Sequence, residues 1–310
     1  MVNTVRGAIA AEALGWTLPH EHIVVGLPGA TWDPMVTFDR EATAAKAIGL
    51  LSAARERGLR SLVDMTTIEM GRDPELLLLI AEAADVNVIC ATGFFTEELG
   101  IPAHFRQLSA EDLAAIFISE VESGIGRSGI KAGVIKASTG SRQVTQLEEK
   151  LLRAAGLAQL ATGVPLLTHT GRGGGGERQA ELLLELGVSP TKIVIGHSDV
   201  SADSKYHVRL LKTGVFVGFD RVGQEAFVPD AMRAGCAATL IHMGYTSQLT
   251  MSLDAHVTWL GRPHELVMTE RSFTHLHDDF FPRLTKLGVA ESDLLQIMTT
   301  NVARLFADER

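Results

Sequence analysis

The stretch LPHEHIVV, residues 18–25, predicts a β-strand. Successive side chains of a strand point to opposite faces, so His20 and His22 point to the same side, where they can share one metal ion. A His-x-His pair alone is weak evidence for a metal site, because histidines also occur as core residues. The pattern gains weight here because similar chemistry recurs at the ends of other predicted strands.

Short β-branched runs alternate with longer segments rich in Ala, Leu and Glu, and the alternation repeats eight times. The predicted strands span residues 18–25, 61–67, 87–93, 133–138, 165–170, 193–199, 215–222 and 249–256. The predicted helices include residues 41–57, 74–84, 110–122, 147–162, 177–186 and 206–213. Most of the strands are near-continuous apolar runs, which is typical of parallel strands buried on both faces.

Eight β-then-α units within 310 residues predict an α/β protein with a (β/α)8 TIM barrel. No Pro/Ser-rich linker or shift in composition divides the sequence, so we expect residues 1–310 to form a single domain. We expect residues 1–16 to form a short N-terminal cap and a helix over 291–306 to close the barrel. The alternative is a doubly wound open sheet, but the Gly-rich dinucleotide turn usual in that fold does not follow the first strand.

The composition restricts the kind of partner. Apolar residues make up 46% and charged residues 21%, which is the balance of a globular protein. The net charge of −9 argues against nucleic acid or an anionic membrane as the main partner. Cys90 and Cys236 have no paired spacing, and the first residues lack the pattern of a signal peptide. We therefore expect a soluble cytoplasmic protein with reduced cysteines that acts on a small molecule.

Potential metal ligands recur where the predicted strands end. Lys136 ends the fourth strand, His169 the fifth and His197 the sixth, and Asp254 lies on the eighth. In a (β/α)8 barrel these strand ends converge at the face where active sites are found. Imidazoles and a carboxylate suit a borderline divalent ion, with zinc favoured and manganese, cobalt or iron as alternatives.

Five motifs, in order along the chain, resemble the phosphotriesterase family of the amidohydrolase superfamily. The motifs are His-x-His at 20–22, Val134-Ile135-Lys136-Ala137, Thr168-His169-Thr170, Ile195-Gly196-His197-Ser198-Asp199 and Met251-Ser252-Leu253-Asp254. The resemblance covers nearly the whole chain, from about residue 4 to residue 306.

The resemblance implies two divalent metal ions bridged by a lysine that is carboxylated on its side-chain nitrogen, and Lys136 matches that position. An unmodified ammonium would repel two cations, whereas a carbamate supplies two oxygens. The implied ligands are His20, His22 and Asp254 for the more buried ion, and His169 and His197 for the more exposed one. A homodimer is also implied.

The reaction implied by such a centre is the hydrolysis of an ester-like bond. Two divalent ions lower the pKa of a shared water towards neutrality and hold a bridging hydroxide for attack. We expect Asp254 to orient that hydroxide, accept its proton and pass it to the leaving group. The alternative is that Asp254 serves only as a ligand.

Departures from the family pattern bear on which bond is cleaved. The efficient phosphotriesterases resemble one another in having a His after the Asp of strand seven and a second acidic residue after His-Ser-Asp. This chain has Asp220-Arg221 and Asp199-Val200 instead, and the arginine is similar to that of the lactonase branch. Arg221 could hydrogen-bond an entering ester or a leaving alkoxide, or only pair with a neighbour. We therefore expect a hydrolase of lactones or related carboxylic esters, with phosphotriesterase activity as a promiscuous reaction at most.

The loop after the third predicted strand also departs from the pattern. Acyl-homoserine lactonases of the family typically have a Tyr whose hydroxyl faces the metals, and Phe95 takes its place here. The missing hydroxyl leaves the preferred lactone open. The residues predicted to line the substrate pocket are Phe94, Phe95, Arg221 and Trp259. Packing between loops is the alternative role for the aromatic rings.

Other functions remain open at this point. The same metal centre could hydrolyse amides or N-acyl groups, or act as a true phosphotriesterase. A protein of another class, a non-catalytic barrel that binds a ligand, is the third alternative, although the intact ligand set argues against it.

Three further polar residues have expected supporting roles. Glu21 lies between two histidines of one strand, so we expect it to face the other way and to be structural. Asp64 ends the second predicted strand and is expected to support a ligand. His256 would point the same way as Asp254 if the last strand were continuous.

Overall fold

The computed structural model describes residues 1–140, 143–171, 175–261 and 272–308. Its main element is a nine-stranded parallel sheet, preceded by an antiparallel hairpin. The hairpin strands are β1 (Val2–Thr4) and β2 (Gly7–Ile9). The strands of the sheet are β3 (Thr17–Gly26), β4 (Ser61–Asp64), β5 (Asn87–Gly93), β6 (Val134–Thr139), β7 (Leu166–Thr170), β8 (Ile193–Ile195), β9 (Phe216–Phe219), β10 (Leu249–Met251) and β11 (His256–Leu260).

The sheet closes into the predicted barrel. Strands β3 to β10 follow one another in chain order, each parallel to its neighbour, and β11 pairs with the other edge of β3. Between the ends of β10 and β3, Asp254 N donates to His20 O at 3.0 Å and His22 N donates to Ala255 O at 2.8 Å. The predicted α/β fold class, a TIM-type barrel, is confirmed.

The eighth barrel strand is interrupted, although the sequence predicts one strand over 249–256. Strand β10 ends at Met251, and β11 starts only at His256. Between them Asp254 has a φ of 50°, in the left-handed region that non-glycine residues rarely adopt. The predicted strand over 249–256 is therefore not continuous, and the condition under which His256 would point the same way as Asp254 is not met.

The helices surround the sheet. Their bounds are α1 (Arg40–Glu56), α2 (Pro74–Ala84), α3 (Ala103–Arg106), α4 (Ala110–Glu122), α5 (Gln146–Thr162), α6 (Gly176–Glu185), α7 (Ser204–Leu211), α8 (Asp230–Leu240), α9 (Phe281–Lys286), α10 (Glu291–Met298) and α11 (Thr300–Phe306). Several begin at a side chain that accepts a hydrogen bond from the first turn, which satisfies a free backbone amide. These capping residues are Asp39, Asp73, Ser109, Thr145 and Asp203. None of the helices within the described ranges combines the length and the apolar character needed to cross a membrane.

Apolar side chains form two cores, one on each side of the barrel wall. On β4, for example, Leu62 belongs to the cluster shared with the helices and Val63 to the cluster inside the barrel. Leu14 and α11 residues such as Val302 pack into the inner cluster, so the first residues and the C-terminal helix close one end of the barrel. The helix predicted over 291–306 is broken at Thr299 into α10 and α11.

Candidate metal centre

The six predicted metal ligands lie within barrel strands or in the segments that directly follow them. Lys136, which was predicted to end its strand, is instead the third residue of β6. Strand β3 carries His20 and His22, β6 carries Lys136, β7 carries His169, and His197 and Asp254 follow β8 and β10. The strand predicted over 193–199 ends at Ile195, and His197 has a φ of 53°. Like Asp254, it therefore leaves the line of its strand.

The side chains of His20, His22 and Asp254 converge. Oδ1 of Asp254 lies 3.3 Å from Nε2 of His22 and 3.9 Å from Nε2 of His20. The potential ligand atoms of these residues all lie within 4.8 Å of one another. On the other side, Oδ2 of Asp254 lies 3.9 Å from Nε2 of His197. Asp254 therefore lies between two groups of histidines.

Each predicted ligand histidine near Asp254 has a hydrogen-bonding partner at Nδ1. Asp220 lies 3.0 Å from Nδ1 of His20 and 2.7 Å from Nδ1 of His197, and Thr66 Oγ1 lies 2.8 Å from Nδ1 of His22. An ionised carboxylate only accepts hydrogen bonds, so the hydrogens of His20 and His197 are on Nδ1. Burial opposes the ionisation of Asp220, but His197 and His20 bring the pKa of Asp220 well below its usual range. Nε2 of His20 and of His197 therefore carries the lone pair, which is the form in which an imidazole binds a metal.

Lys136 is completely enclosed at the centre of the cluster. Its Nζ lies 2.7 Å from Nε2 of His20. Burial lowers the pKa of Lys136 to about 8, and burial together with the charge of Lys136 lowers the pKa of His20 to about 3. Neutral imidazoles and an ionised aspartate are donors that a divalent cation requires, so this residue set fits a metal.

His169 belongs to the second group of predicted ligands. Its ring lies edge-on to the ring of His197 at 4.4 Å and edge-on to the ring of Phe95 at 4.5 Å, measured between centroids. Gln179 donates to the backbone oxygen of His169 at 2.7 Å and so fixes the end of β7. Burial lowers the pKa of His169, which keeps the imidazole neutral and able to bind a metal.

Arg221 and Gln224 both contact Asp254. Nε of Arg221 and Nε2 of Gln224 each donate to Oδ2 of Asp254 at 3.2 Å. Burial opposes ionisation of Asp254, but His197, His22 and Arg221 hold the pKa of Asp254 well below its usual range. The guanidinium of Arg221 also lies 4.9 Å above the ring of Phe227. Asp254 is thus an ionised carboxylate with one oxygen towards His22 and the other towards Arg221.

The predicted pocket residues do not all lie at the centre. Phe94 is 1% exposed and packs in the outer core against Phe105 and Phe117, so it does not line a pocket. Phe95 is partly exposed and contacts His169. Trp259 lies on β11 with its ring 6.2 Å from that of His256. Of the predicted pocket residues, Phe95 and Arg221 directly contact the ligand cluster.

Sequence reasoning missed three polar residues of the centre. Asp220 was considered only as the neighbour of Arg221, although an acidic residue at the end of a barrel strand itself indicates a role in the active site. Thr66 has the weaker signal of following the second strand, and nothing in the sequence points to Gln224. The expectation for Asp64 agrees with an indirect role: its Oδ1 accepts from Thr66 N at 3.0 Å, and Thr66 holds His22.

Residues 1–306 match the model of the Phosphotriesterase family. The chain belongs to the phosphotriesterase family.

Relatives in the phosphotriesterase family match along nearly their whole length. A phosphotriesterase homology protein of Mycobacterium tuberculosis is 32% identical, with 98% of this chain and 97% of that protein covered. A phospho-furanose lactonase of Mycoplasmopsis synoviae is 30% identical, with 99% and 92% covered. A crystal structure of a mutant PTE-like lactonase from Deinococcus radiodurans has a TM-score of 0.93 at 37% identity, with 99% and 100% covered. This phosphotriesterase-family chain is therefore a metal-dependent hydrolase that acts on esters of small molecules.

Proposed function

We propose that the protein is a binuclear metal-dependent hydrolase that opens lactones and cleaves related carboxylic esters. The observation that carries the proposal is the contact of 3.2 Å between Arg221 Nε and Asp254 Oδ2 beside the histidine cluster. A guanidinium in this place can donate to the oxygen of an ester beside the carboxylate that receives the proton. The relatives from Mycoplasmopsis synoviae and Deinococcus radiodurans, both described as lactonases, support this substrate class.

Two divalent ions would be bound by the converging donors, zinc being the first choice and manganese, cobalt or iron the alternatives. The proposed ligands are His20, His22 and Asp254 for one ion, His169 and His197 for the other, and Lys136 for both. When bound, the ions supply a hydroxide nucleophile at neutral pH and polarise the scissile bond.

Lys136 is proposed to bridge the ions as a carbamate. Its burial lowers the pKa of Lys136 to about 8, which increases the fraction of neutral amine that can react with carbon dioxide. The product carries a negative charge and two oxygens, in place of a positive charge beside His20. This change in charge suits a site that gathers cations.

Asp254 is proposed to carry the proton of the reaction. Its two contacts with Arg221 and Gln224 come from donors that cannot take the proton onward, because a guanidinium and an amide do not act as bases at neutral pH. The histidines near Asp254 would have Nε2 bound to the ions, so the proton on Asp254 is proposed to pass directly to the leaving group. A lactone suits this arrangement, because its leaving alkoxide remains attached to the acyl part and stays in the site.

A substrate screen tests the proposed function. Fully metallated protein is assayed by pH-stat with γ- and δ-lactones, homoserine lactones, aryl esters, N-acyl amino acids and paraoxon. We expect a lactone to give the highest kcat/KM. We expect Asp254→Asn to keep the fold and to lower kcat by a factor on the order of 10² or more.

Asp85→Asn is a matched control. Asp85 also has a left-handed backbone, with a φ of 51°, and also pairs with arginines, but it is exposed and caps α2. This variant should retain wild-type turnover. Hydrolysis of paraoxon faster than of every lactone by orders of magnitude would contradict the proposed bond, and absence of turnover on every substrate would favour a non-catalytic binding role.

We also propose that the protein works as a homodimer in the cytoplasm. Trp32 and Met35 are 81% and 73% exposed, and large apolar side chains at a surface are typical of interfaces. Cys90 and Cys236 are both free and buried, which fits a reducing compartment. Light scattering of the purified protein gives the oligomeric state directly.

A further inference from the structure

Glu21 lies between the two histidine ligands of β3 and is completely buried, with 0% of its surface exposed. Its carboxylate accepts hydrogen bonds from residues 252–255, the segment that interrupts the eighth strand. Oε1 accepts from Ser252 Oγ at 2.7 Å and from Leu253 N at 2.8 Å, and Oε2 accepts from Ala255 N at 2.8 Å. All three distances lie within the range of well-formed hydrogen bonds.

These hydrogen bonds hold the chain on both sides of Asp254. The amides of Leu253 and Ala255 bind opposite oxygens of the same carboxylate, while Asp254 N donates to His20 O at 3.0 Å. The residue so enclosed is the one whose φ is 50°. A left-handed backbone is unfavourable for aspartate relative to an ordinary strand conformation, so surrounding contacts must maintain it.

Ser252 connects the same interruption to the histidine strand. Its hydroxyl donates to Glu21 and accepts from His20 N at 3.1 Å. The backbone of β3 and the segment 252–255 are therefore fixed relative to each other by one side chain from each. This geometry places Oδ1 of Asp254 at 3.3 Å from Nε2 of His22.

We propose that Glu21 is a positioning residue for the metal centre, which holds Asp254 in the conformation that brings its carboxylate to His20 and His22. The tripeptide His20-Glu21-His22 would then supply two ligands of the more buried ion, and its central residue would hold the third ligand, Asp254, in place. The inference rests on the proposed metal-dependent function, but it concerns metal affinity and does not depend on which ester is cleaved.

Replacing Glu21 with glutamine removes this support with little change in volume. A carboxylate offers two accepting oxygens, whereas an amide offers one oxygen and an NH2 group that only donates. In either orientation the NH2 group would face a backbone N–H, at Ala255 or at Leu253. Ser252→Ala is a milder second variant, because it removes one of the three donors and leaves the carboxylate in place.

The experiment measures metal binding by the full chain. Chelator-stripped wild type, Glu21→Gln and Ser252→Ala are titrated with cobalt(II), followed by visible absorbance, and zinc content is measured after gel filtration. We expect Glu21→Gln to bind at least one of the two ions 10- to 100-fold more weakly, the range known for residues that orient ligands. Ser252→Ala should show a smaller loss in the same direction, and it decides the question if Glu21→Gln does not fold.

Glu148→Gln provides the matched control. Glu148 is also a buried carboxylate, 1% exposed, which accepts from Gly140 N at 2.7 Å and from Thr145 N at 3.1 Å, and it contacts none of the ligands named above. This variant should unfold at lower denaturant concentration and still bind cobalt like the wild type. Wild-type affinity for both ions in Glu21→Gln and Ser252→Ala would overturn the proposal.

A kinetic readout separates positioning from general destabilisation. Because Asp254 acts on the reaction and not on substrate binding, Glu21→Gln saturated with metal should show a lower kcat and a nearly unchanged KM. An unchanged kcat would argue against the proposal. If the wild type binds two ions but hydrolyses no ester, the proposed function fails while the metal titrations still test Glu21.

Discussion

At the scale of single residues, the position of Lys136 is the least expected on general grounds. A lysine is rarely buried without a partner, and this one is 1% exposed with its nitrogen 2.7 Å from another nitrogen, Nε2 of His20. Two nitrogens at this distance cannot both be protonated, and burial lowers the pKa of Lys136 to about 8. The lowered pKa increases the fraction of neutral amine at Lys136, and the carboxylation proposed above requires that form.

Lys136→Ala tests that account. Removal of the side chain deletes the only ligand proposed to contact both ions, so we expect loss of metal and of activity. A short carboxylic acid, such as acetate or propionate, should restore part of both, because its two oxygens can occupy the space of the carbamate. Metal content is measured by elemental analysis, with and without the added acid.

A second buried lysine supplies the comparison. Lys192 donates to the backbone oxygens of Leu305 and Ala307, at the closed end of the barrel. Lys192→Ala should reduce stability without loss of metal and without any response to the added acid. Unchanged metal content in Lys136→Ala would show that Lys136 does not bridge the ions.

At the scale of elements, Glu69 links two loops of the barrel mouth. It follows β4, and its Oε1 accepts from Phe95 N after β5 at 2.6 Å. Phe95 in turn packs against His169. Burial raises the pKa of Glu69 from 4.5 to about 7, more than its hydrogen bonds lower it. We therefore expect the charge of Glu69 to change with pH near neutrality, and a charged carboxylate accepts the stronger hydrogen bond from Phe95 N.

The sign of this dependence follows from the raised pKa. Between pH 4.5 and 7 the folded protein retains a proton on Glu69 that the unfolded chain has released. The stabilising contribution of Glu69 is fully present below pH 4.5, the pKa in the unfolded chain. It is lost as the pH rises through about 7, the pKa in the folded protein. Glu69→Gln lacks this titration, so its stability relative to the wild type should increase with pH, by on the order of 1–3 kcal/mol across the window.

Urea unfolding of both proteins at several pH values from 4.5 to 8 measures this difference. Comparison at each pH cancels effects that the two proteins share, including the pH dependence of metal binding. A constant difference between the wild type and Glu69→Gln would show that Glu69 ionises normally and that its contact with Phe95 is insensitive to pH.

At the scale of the whole molecule, the barrel could be predicted and the interruption of its last strand could not. The eight strands follow from local apolar runs, and β5 has the predicted bounds 87–93. The segment 252–255 looks like a strand locally, but its conformation depends on hydrogen bonds to Glu21, more than 230 residues away in the sequence. Contacts of that separation leave no periodic signal in either segment.

The same limit applies to the centre. The predicted strands suggested four histidines and Asp254 as ligands, because residues at the ends of parallel strands converge, and the family resemblance added Lys136. The hydrogen-bonding partners of the histidines were not predictable. Asp220 could have bound any side chain at this end of the barrel, and it binds both His20 and His197. Adjacent aromatic residues were also indistinguishable by sequence: Phe94 enters the core and Phe95 contacts His169.

Removal of metal from the whole protein should leave a folded barrel of lower stability. Both apolar cores and the contacts of Asp220 and Thr66 with the histidines form without a metal, so chelation should preserve the far-ultraviolet circular dichroism spectrum. Ions that bind only the folded state stabilise it by about 4 kcal/mol per site at a concentration 1,000 times Kd. Urea unfolding should therefore show a higher midpoint as zinc is added, and the midpoint should continue to rise with the logarithm of free zinc after two equivalents are bound. A stripped protein that loses its helical spectrum would instead mean that the barrel requires the ions to fold.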